Sequence, residues 1–471
     1  MQPWHNGQVE ITGEGKVMQD QSLKNVQSGI LAESNQFGFY ITYTLSHDDD
    51  LLPLIRDMVA RFPAMIDECS RVFDVPSLNG VVAIGSDAWD RLYPQGRPVA
   101  LKPFPEMKQG SRLAPETPCD LYFQIRSDRH DINFIVARRI DSMLGEIANL
   151  QEAIPTFRYL DCRDLTGFVD GTENPQGEER AKVALVGHED PSFAGGSYVH
   201  IQRYVHNMPV WNEVSVKEQE QVFGRSKADN IEFESDAKPL TSHIKRTGIK
   251  DEEGEAIEIL RQSMPYGNLS AQGLYFVSYC RFSDNFTRML ASMVYSDAHG
   301  HYDHMLKYTE AVTGAALFAP SRDFLVKYVG AAAEAEQLKK EKAAAEALRL
   351  AEEEAELNST RSELAYTPLS EALVRPDALN PVEPEVEKNQ DTEPGDQKKV
   401  SDQDTAPEVK TVTPTNTGGR RYSASFYQAM LEDDEDQPQT SQADSQKNLK
   451  QQPGLPWTLT EEGKKGLKDD D

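Results

Sequence analysis

The segment with the clearest chemical pattern runs Gly167-Phe-Val-Asp170-Gly171-Thr172-Glu173-Asn174-Pro175. It places one carboxylate between two glycines. Glycine lets the backbone turn tightly and approach a ligand closely, so this spacing could aim Asp170 into a cavity. An Asp-Gly pair is also a common turn sequence. The residues alone therefore leave a functional acid and an ordinary turn as alternatives.

Two further side chains with chemical potential lie in the second half of the chain. His243 occurs in the polar segment Lys238-Pro-Leu-Thr-Ser-His243-Ile, and a neutral imidazole is the usual protein ligand of haem iron. Arg261 follows an apolar pair in Ile259-Leu-Arg261, where it could point into a pocket. Single residues of these types are often exposed on the surface, so that interpretation stays open for both.

Three closely spaced histidines form a competing candidate, a zinc or copper site. They are His299, His301 and His304. No fourth ligand of the usual kind lies nearby, and the segment is polar and contains a glycine. We therefore expect a solvated loop at this position.

The elements that must position these residues come in two similar sets. Residues 39–45 are rich in β-formers and predict a strand, and residues 48–73 carry apolar side chains at helical spacing. About 158 residues later the pattern returns, with a predicted strand at 197–205 and a predicted helix at 210–223.

A second pair of elements supports the repeat. Residues 121–126 predict a strand and residues 132–150 a helix, and 153 residues later a strand at 274–279 precedes a helix at 284–295. Two such halves predict a duplicated α+β fold, each half with an antiparallel sheet and helices on one face. Chance similarity of amphipathic elements is the alternative.

Composition separates a globular body from a polar tail. Residues 331–471 carry 31 acidic and 17 basic side chains, which is half of the net charge of −28 in under a third of the 471 residues. So polar a segment cannot bury enough apolar surface to offset its ordering entropy. We expect an N-terminal domain at 1–160, a second domain at 161–330, an Ala/Glu/Lys-rich helix at 331–357 and a disordered acidic tail at 358–471.

Several classes of protein are disfavoured by the same composition. An acidic chain without a basic stripe repels nucleic-acid backbones. No apolar run approaches the roughly 18 residues of a transmembrane helix, and the N-terminus lacks the pattern of a signal peptide. The four cysteines are far apart and form no CxxC pair, which suits a reducing cytoplasm. We therefore expect a cytoplasmic protein that binds neither nucleic acid nor membrane.

Two short apolar islands, 422–431 and 454–459, interrupt the tail. In a disordered chain such islands are candidate docking motifs that order on binding. The alternative is a spacer that keeps the protein soluble through its negative charge.

Taken together, the motifs resemble those of the dye-decolourising (DyP-type) haem peroxidases, most closely the short bacterial B-type members. The landmarks are the Asp170 segment, Phe193-Ala-Gly-Gly-Ser-Tyr198, His243, and Arg261 followed by Met264-Pro-Tyr266. The resemblance covers residues 30–327 and includes the closing Gly314-Ala-Ala-Leu-Phe-Ala-Pro320. It implies two ferredoxin-like domains, with haem in the second. The tail lies outside it.

The resemblance also implies roles for individual residues. His243 matches the proximal ligand of the haem iron, and Asp303 matches the acid that hydrogen-bonds this histidine. Asp170 and Arg261 match the distal carboxylate and arginine, with Arg261 also bordering the cofactor. Gly171 and Thr172 are expected to border the haem.

One position departs from the pattern of the family. Many B-type members have Asn two residues after the distal arginine, whereas this chain has Ser263. A hydroxyl reaches less far than an amide, so Ser263 is expected to engage peroxide only through water.

The implied function is that of a haem b peroxidase with one haem per chain. It would reduce hydrogen peroxide and oxidise one-electron donors, such as phenolic compounds and dyes, through a ferryl intermediate. The alternative is a haem- or iron-handling protein on the same fold, with incidental peroxidase activity. Asp170 and Arg261 favour the enzyme, because haem carriage needs neither.

The expected partners follow from the same resemblance. They are hydrogen peroxide, a small-molecule electron donor and further copies of this chain in a homo-oligomer. Some relatives are packaged in protein shells through C-terminal peptides, so the tail is a candidate for docking to a shell or another protein.

Overall fold

The computed structural model of this protein describes residues 23–145 and 147–365, with side chains described as far as residue 356. The two tail islands lie outside these residues. The strands of this part are β1 (Phe37–Leu45), β2 (Asn79–Gly85), β3 (Met107–Gln109), β4 (Arg112–Ala114), β5 (Leu121–Ser127), β6 (Ala148–Phe157), β7 (Ser197–His206), β8 (Leu260–Arg261), β9 (Met264–Gly267), β10 (Gln272–Cys280), β11 (Thr309–Ala311) and β12 (Ala315–Ala319).

The α-helices are interspersed with these strands, and short 3-10 turns connect several of them. The helices are α1 (Leu52–Val72), α2 (Ser86–Leu92), α3 (His130–Leu144), α4 (Glu179–Ala184), α5 (Met208–Glu213), α6 (Val216–Phe223), α7 (His243–Thr247), α8 (Ser283–Val294), α9 (Arg322–Val326) and α10 (Ala331–Ala365).

The duplication is visible in the order of the strands. The main sheet runs β6-β1-β5-β2-β12-β7-β10-β8, and its neighbouring strands are antiparallel. If the four sheet strands of each half are numbered 1 to 4 along the chain, the first half, β6-β1-β5-β2, has the order 4-1-3-2. The second half, β12-β7-β10-β8, has the same order. This is the ferredoxin-like arrangement, so the α+β prediction with antiparallel strands is confirmed.

The two halves share one sheet instead of forming two separate sheets. They join where β12 pairs with β2, at Leu317 with Gly85 and Phe318 with Ile84. The sheet also curls, because β6 at one end packs against β9, which pairs with β10 near the other end. Barrel-like curvature of this kind creates an inside and an outside face.

Successive side chains of a strand point to opposite faces of the sheet, and each face has its own hydrophobic core. On β1, Ile41 and Tyr43 point outward and pack in the cluster that includes residues of helices α1 and α3. Tyr40 points inward and packs with Tyr122 and Tyr275 from neighbouring strands. The alternation follows from the period of two in a strand.

Three of the five predicted helices differ from the structure by more than a few residues at their ends. The helix predicted at 132–150 ends at Leu144, and residues 148–157 form β6, which pairs with β1. The helix predicted at 210–223 is two helices, because Ser215 caps the start of α6 by accepting a hydrogen bond from the Glu218 backbone NH. The helix predicted at 331–357 continues to Ala365.

Helix α10 follows the body and contacts it through α1 near its own start. Gly330 donates its backbone NH to Asp57, and Lys339 pairs with Asp50 at 3.0 Å. The described side chains of α10 are otherwise mostly exposed. Among the helices of the described residues, none combines the length and apolar character needed to cross a membrane.

Candidate functional site

The loop that carries Asp170 lies between β6 and α4 and is held by main-chain hydrogen bonds. The Asp170 NH donates to the carbonyl of Cys162 at 2.9 Å. Gly167 and Gly171 have φ values of +90° and +79°, a region that disfavours side chains, which accounts for a glycine at each position. Arg163 donates to the carbonyls of Gly167 and Lys227 at 2.8 and 2.6 Å, so the loop is tied to a second segment.

A buried carboxylate organises the turn that precedes Asp170. Asp164 accepts hydrogen bonds from the NH and hydroxyl of Thr166, at 3.1 and 2.6 Å, and lies 3.1 Å from Nε2 of His206 on β7. Phe168, two residues before Asp170, stacks on Phe223 with 3.9 Å between the ring centroids. The loop is therefore anchored by both polar and apolar contacts.

Arg261 and Asp170 face each other at the edge of the main sheet. Arg261 lies on β8 opposite Ser278 of β10, and its Nη1 is 3.9 Å from Oδ1 of Asp170. Both side chains are about a quarter exposed, at 23% and 24%. At this distance the two charges stabilise each other without a direct hydrogen bond. Both groups can therefore still form hydrogen bonds with a small molecule.

Asn174 holds this pair together, although sequence reasoning gave it no role. Its amide Nδ2 donates to the Arg261 carbonyl at 2.8 Å, and its Oδ1 accepts from the Arg261 NH at 2.9 Å. The side chain thus acts as an extra strand residue that pairs with β8. The only signal in the sequence was its position in the same motif as Asp170.

The surroundings of Asp170 shift its acidity upward. Burial raises the pKa of the Asp170 carboxyl above its ordinary value of 3.8, while the Arg261 guanidinium opposes this shift. Asp164 adds to the increase in this pKa, and the Gly171 backbone NH and His243 oppose it. Phe223 links the two positions, because it stacks on Phe168, two residues before Asp170, and its ring contacts the His243 ring.

His243 is the first residue of the short helix α7. Its Nδ1 lies 2.6 Å from Oδ2 of Asp303, which is fully buried, and the other oxygen of Asp303 accepts the Met305 NH at 2.9 Å. The ring is 24% exposed and meets the edge of Phe223. Within the described residues, Nε2 of His243 has no hydrogen-bond partner, so this atom is available to a ligand.

The remaining predicted residues occupy the borders of this region. Thr172 accepts a hydrogen bond from the Asn230 side chain at 3.0 Å, which connects the Asp170 loop to the segment after α6. Ser263 accepts from the Val277 NH at 3.3 Å, so its hydroxyl is engaged with the sheet.

The three histidines of the competing metal candidate do not converge. The His301 ring bonds to Asp297 at 3.0 Å, and the rings of His299 and His301 are 6.1 Å apart. His304 packs against Tyr302. In the part of the chain that the structure describes, no group of three His, Cys, Asp or Glu side chains is arranged to hold a metal ion.

The donor set around His243 fits the iron of a porphyrin. A metal held by protein alone needs three or four ligands, whereas porphyrin iron takes four nitrogens from its own ring and needs one axial imidazole. One ring nitrogen of His243 is free, and the other is hydrogen-bonded to the buried carboxylate of Asp303. This is the usual arrangement of a metal-ligating histidine. The residues present therefore fit haem.

Comparison with protein families gives two adjacent matches. Residues 27–158 match the N-terminal domain model of Dyp-type peroxidases, and residues 161–324 match the C-terminal one. A dye-decolorizing peroxidase from Rhodococcus erythropolis is 39% identical over 308 residues, which is 64% of this chain and 89% of the relative.

Solved structures give the same result. A Dyp-type peroxidase protein from Shewanella oneidensis is 49% identical with a TM-score of 0.63, over 64% of this chain and 98% of that one. A DypB variant from Rhodococcus jostii RHA1, solved in complex with heme, is 37% identical with a TM-score of 0.62, over 64% and 97%. An encapsulated DyP-type peroxidase from Mycobacterium smegmatis is also 37% identical, with a TM-score of 0.62, over 64% and 98%.

Proposed function

The chain belongs to the Dyp-type peroxidase family, and from this membership we propose which of its residues carry out the reaction. It is a haem peroxidase that uses hydrogen peroxide to oxidise one-electron donors such as dyes and phenolic compounds. When bound, haem supplies the iron that reacts with peroxide and takes electrons from donors one at a time. The rest of the chemistry belongs to side chains of this protein.

His243 would hold the iron through Nε2, because its Nδ1 is committed to Asp303 at 2.6 Å. The buried carboxylate accepts the Nδ1 proton, fixes the tautomer of the ring and makes the imidazole a stronger electron donor. Gly171 and Thr172, next to Asp170, would border the cofactor.

Asp170 would move the proton that peroxide cleavage requires. As a carboxylate it takes the proton from one peroxide oxygen and then returns it to the other, which leaves as water. Arg261, 3.9 Å away, would stabilise the negative charge that develops as the two oxygens separate. Arginine suits this role because it stays charged at every working pH.

One observation carries this assignment. Phe223 contacts both the His243 ring, which has one bonded and one free nitrogen, and Phe168, two residues before Asp170 of the carboxylate–guanidinium pair. A haem- or iron-handling protein would need the imidazole but neither member of the pair. The alternative function is therefore not favoured.

An absorption spectrum tests the proposed function directly. The purified haem-loaded protein is mixed with one equivalent of hydrogen peroxide and then with a phenol. We expect the haem bands to shift within the mixing time and to return to their starting positions when the phenol is added. Unchanged bands after peroxide would refute the function.

The division of the chain is also a proposal. We place the boundary between the two domains near residue 160, followed by the long helix and the tail. The separate family matches on either side of this residue and the repeated strand order support it.

Partners and location extend beyond the residues of the site. Docking of the tail to a protein shell is supported by the encapsulated peroxidase from Mycobacterium smegmatis. A cytoplasmic location is supported by the four free cysteines of the described part, Cys69, Cys119, Cys162 and Cys280. Assembly into a homo-oligomer stays a prediction.

A further inference from the structure

A cavity of about 240 Å³ lies between the two halves of the body and reaches Asp170 and Arg261. Its wall comes from the segment before β1, from β5, from the linker after β6, from α4 and from β8 and β9. Five of its lining side chains are arginines: Arg126, Arg158, Arg163, Arg180 and Arg261.

Only two of the lining side chains are acidic, Glu33 and Asp170. Outside the lining, Asp161 pairs with Arg163 at 2.7 Å. The cavity therefore keeps an excess of positive charge in a chain whose net charge is −28. A positive concave surface raises the local concentration of anions, whereas hydrogen peroxide is neutral and gains nothing from it.

Arg126 is the most deeply placed of these arginines. It is 3% exposed and donates through Nη2 to the carbonyls of Ala32 and Glu33. Its Nε is buried and has no hydrogen-bond partner in the described residues. Arg126 forms no ion pair with an acidic side chain among the described residues, so its positive charge in the cavity wall has no direct partner.

Arg180 adds a second buried guanidinium to the same wall. It is 7% exposed, and its Nε lies 3.7 Å from the Glu33 carboxylate. Burial lowers the pKa of Arg180, the Glu33 carboxylate opposes this shift, and Arg126 adds to it. The Arg180 guanidinium also donates to the carbonyls of Leu31, Ala32 and Pro175, and its only ion-pair partner among the described residues is the exposed Glu33.

Arg158 lies at the exposed end of the cavity. Its side chain forms no ion pair or hydrogen bond with any residue that the structure describes. It is therefore free to close on an anion that enters.

We propose that this cavity binds a small organic carboxylate, held by Arg126, Arg158 and Arg180, beside the Asp170–Arg261 pair. The planar fork of a guanidinium matches a carboxylate with two parallel hydrogen bonds. Met264, Pro265 and Tyr159 also line the cavity and offer apolar surface to a ring. An aromatic carboxylate is the ligand class that uses both parts.

Calorimetry on the haem-loaded protein without peroxide tests the proposal, and its result does not depend on turnover. The probe is benzoate, and the matched control is benzamide, which has the same shape without the charge. We expect saturable binding of one benzoate per chain, weakened by salt, and at least about tenfold weaker binding of benzamide.

Two variants should change the affinity in opposite directions. Arg158→Gln removes a partner and should weaken benzoate binding by about three- to tenfold, whereas Glu33→Gln removes a competing carboxylate and should tighten it by about two- to fivefold. Arg138→Gln changes an exposed arginine of α3 outside the cavity and should leave the affinity unchanged.

Four results would overturn the proposal. Equal binding of benzoate and benzamide would exclude recognition of charge, and unchanged affinity in both variants would exclude this cavity. Binding that appears only after haem is removed would assign the arginines to the carboxylates of the cofactor. Binding lost in Arg261→Leu but unaltered in Arg158→Gln would place the ligand at the haem face instead.

Discussion

The proposed chemistry of this site depends on two side-chain pairs, His243 with Asp303 and Asp170 with Arg261. The resemblance to the family identified all four residues, because the order and spacing of the family's motifs match this sequence. Asn174 was not identified, because its value lies in pairing with the backbone of a strand 87 residues away. A side chain that binds main chain leaves no pattern of its own.

The distal pair should control the reaction with peroxide and not the retention of haem. Replacing Asp170 with Asn or Arg261 with Leu is expected to slow this reaction by about 10²- to 10³-fold. Arg261→Leu should be at least as damaging, because water replaces a proton carrier more easily than a fixed positive charge. Stopped-flow absorbance of the haem measures the rate, and wild-type rates in both variants would exclude the proposed roles.

The pH dependence of the same rate should report the acidity of Asp170. The carboxylate form accepts the peroxide proton, and burial raises its pKa above the ordinary 3.8. As the pH falls through that raised value, the carboxylate is lost and the rate should fall. Arg261 holds the pKa down, so Arg261→Leu should move the fall to higher pH, and Asp170→Asn should abolish it. A fall that persists unchanged in Asp170→Asn would assign it to another group.

Among the elements, type was easier to predict than extent. The four long strands predicted from β-rich runs are present, but the short β8 that carries Arg261 was not predicted, and the predicted helix at 132–150 merged α3 with β6. Strand β6 exists because it pairs with β1, a contact that periodicity within one segment does not contain. The break between α5 and α6 did have a local signal, Ser215 three residues before Glu218, which is typical of a helix start.

Asn174 should act as a positioning residue between the Asp170 loop and β8. Asn174→Ala removes both hydrogen bonds to Arg261, so the pair loses its alignment and the reaction with peroxide should slow by about 10- to 100-fold. Haem occupancy should stay unchanged.

Asn268→Ala is the matched control for this substitution. Asn268 also makes two side-chain hydrogen bonds to backbone NH groups, in the turn between β9 and β10, away from the cavity. A similar loss of rate in both variants would show a general effect of stability instead of positioning.

At the scale of the whole molecule, the duplication was readable and the joining of the halves was not. Two similar sets of strands and helices predict two similar sheets. That they continue into one sheet depends on a short pairing between β2 and β12, which involves two pairs of residues. Whether so short a pairing forms depends on how the two folded halves pack against each other. No pattern within a single segment of the sequence predicts it.

Removal of everything after Gly330 should leave haem binding and peroxide turnover intact. Each site residue precedes residue 304, and the ion pair that α10 makes with the body in the described residues, Lys339 with Asp50, is exposed. An exposed pair of this kind contributes about 0.2–1 kcal/mol, so the melting temperature should fall by only a few degrees. Haem titration and steady-state assays of residues 1–330 check this, and a truncated protein without haem would contradict the modular arrangement.

The central claim is that His243 holds the haem iron, and haem titration of His243→Gly with and without free imidazole tests it most directly. We predict that the variant loses haem or the wild-type absorption spectrum, and that added imidazole restores both by occupying the space of the missing ring. His299→Gly, which alters an exposed histidine outside the site, should behave as wild type. Full haem occupancy with an unchanged spectrum in His243→Gly, without imidazole, would contradict the claim.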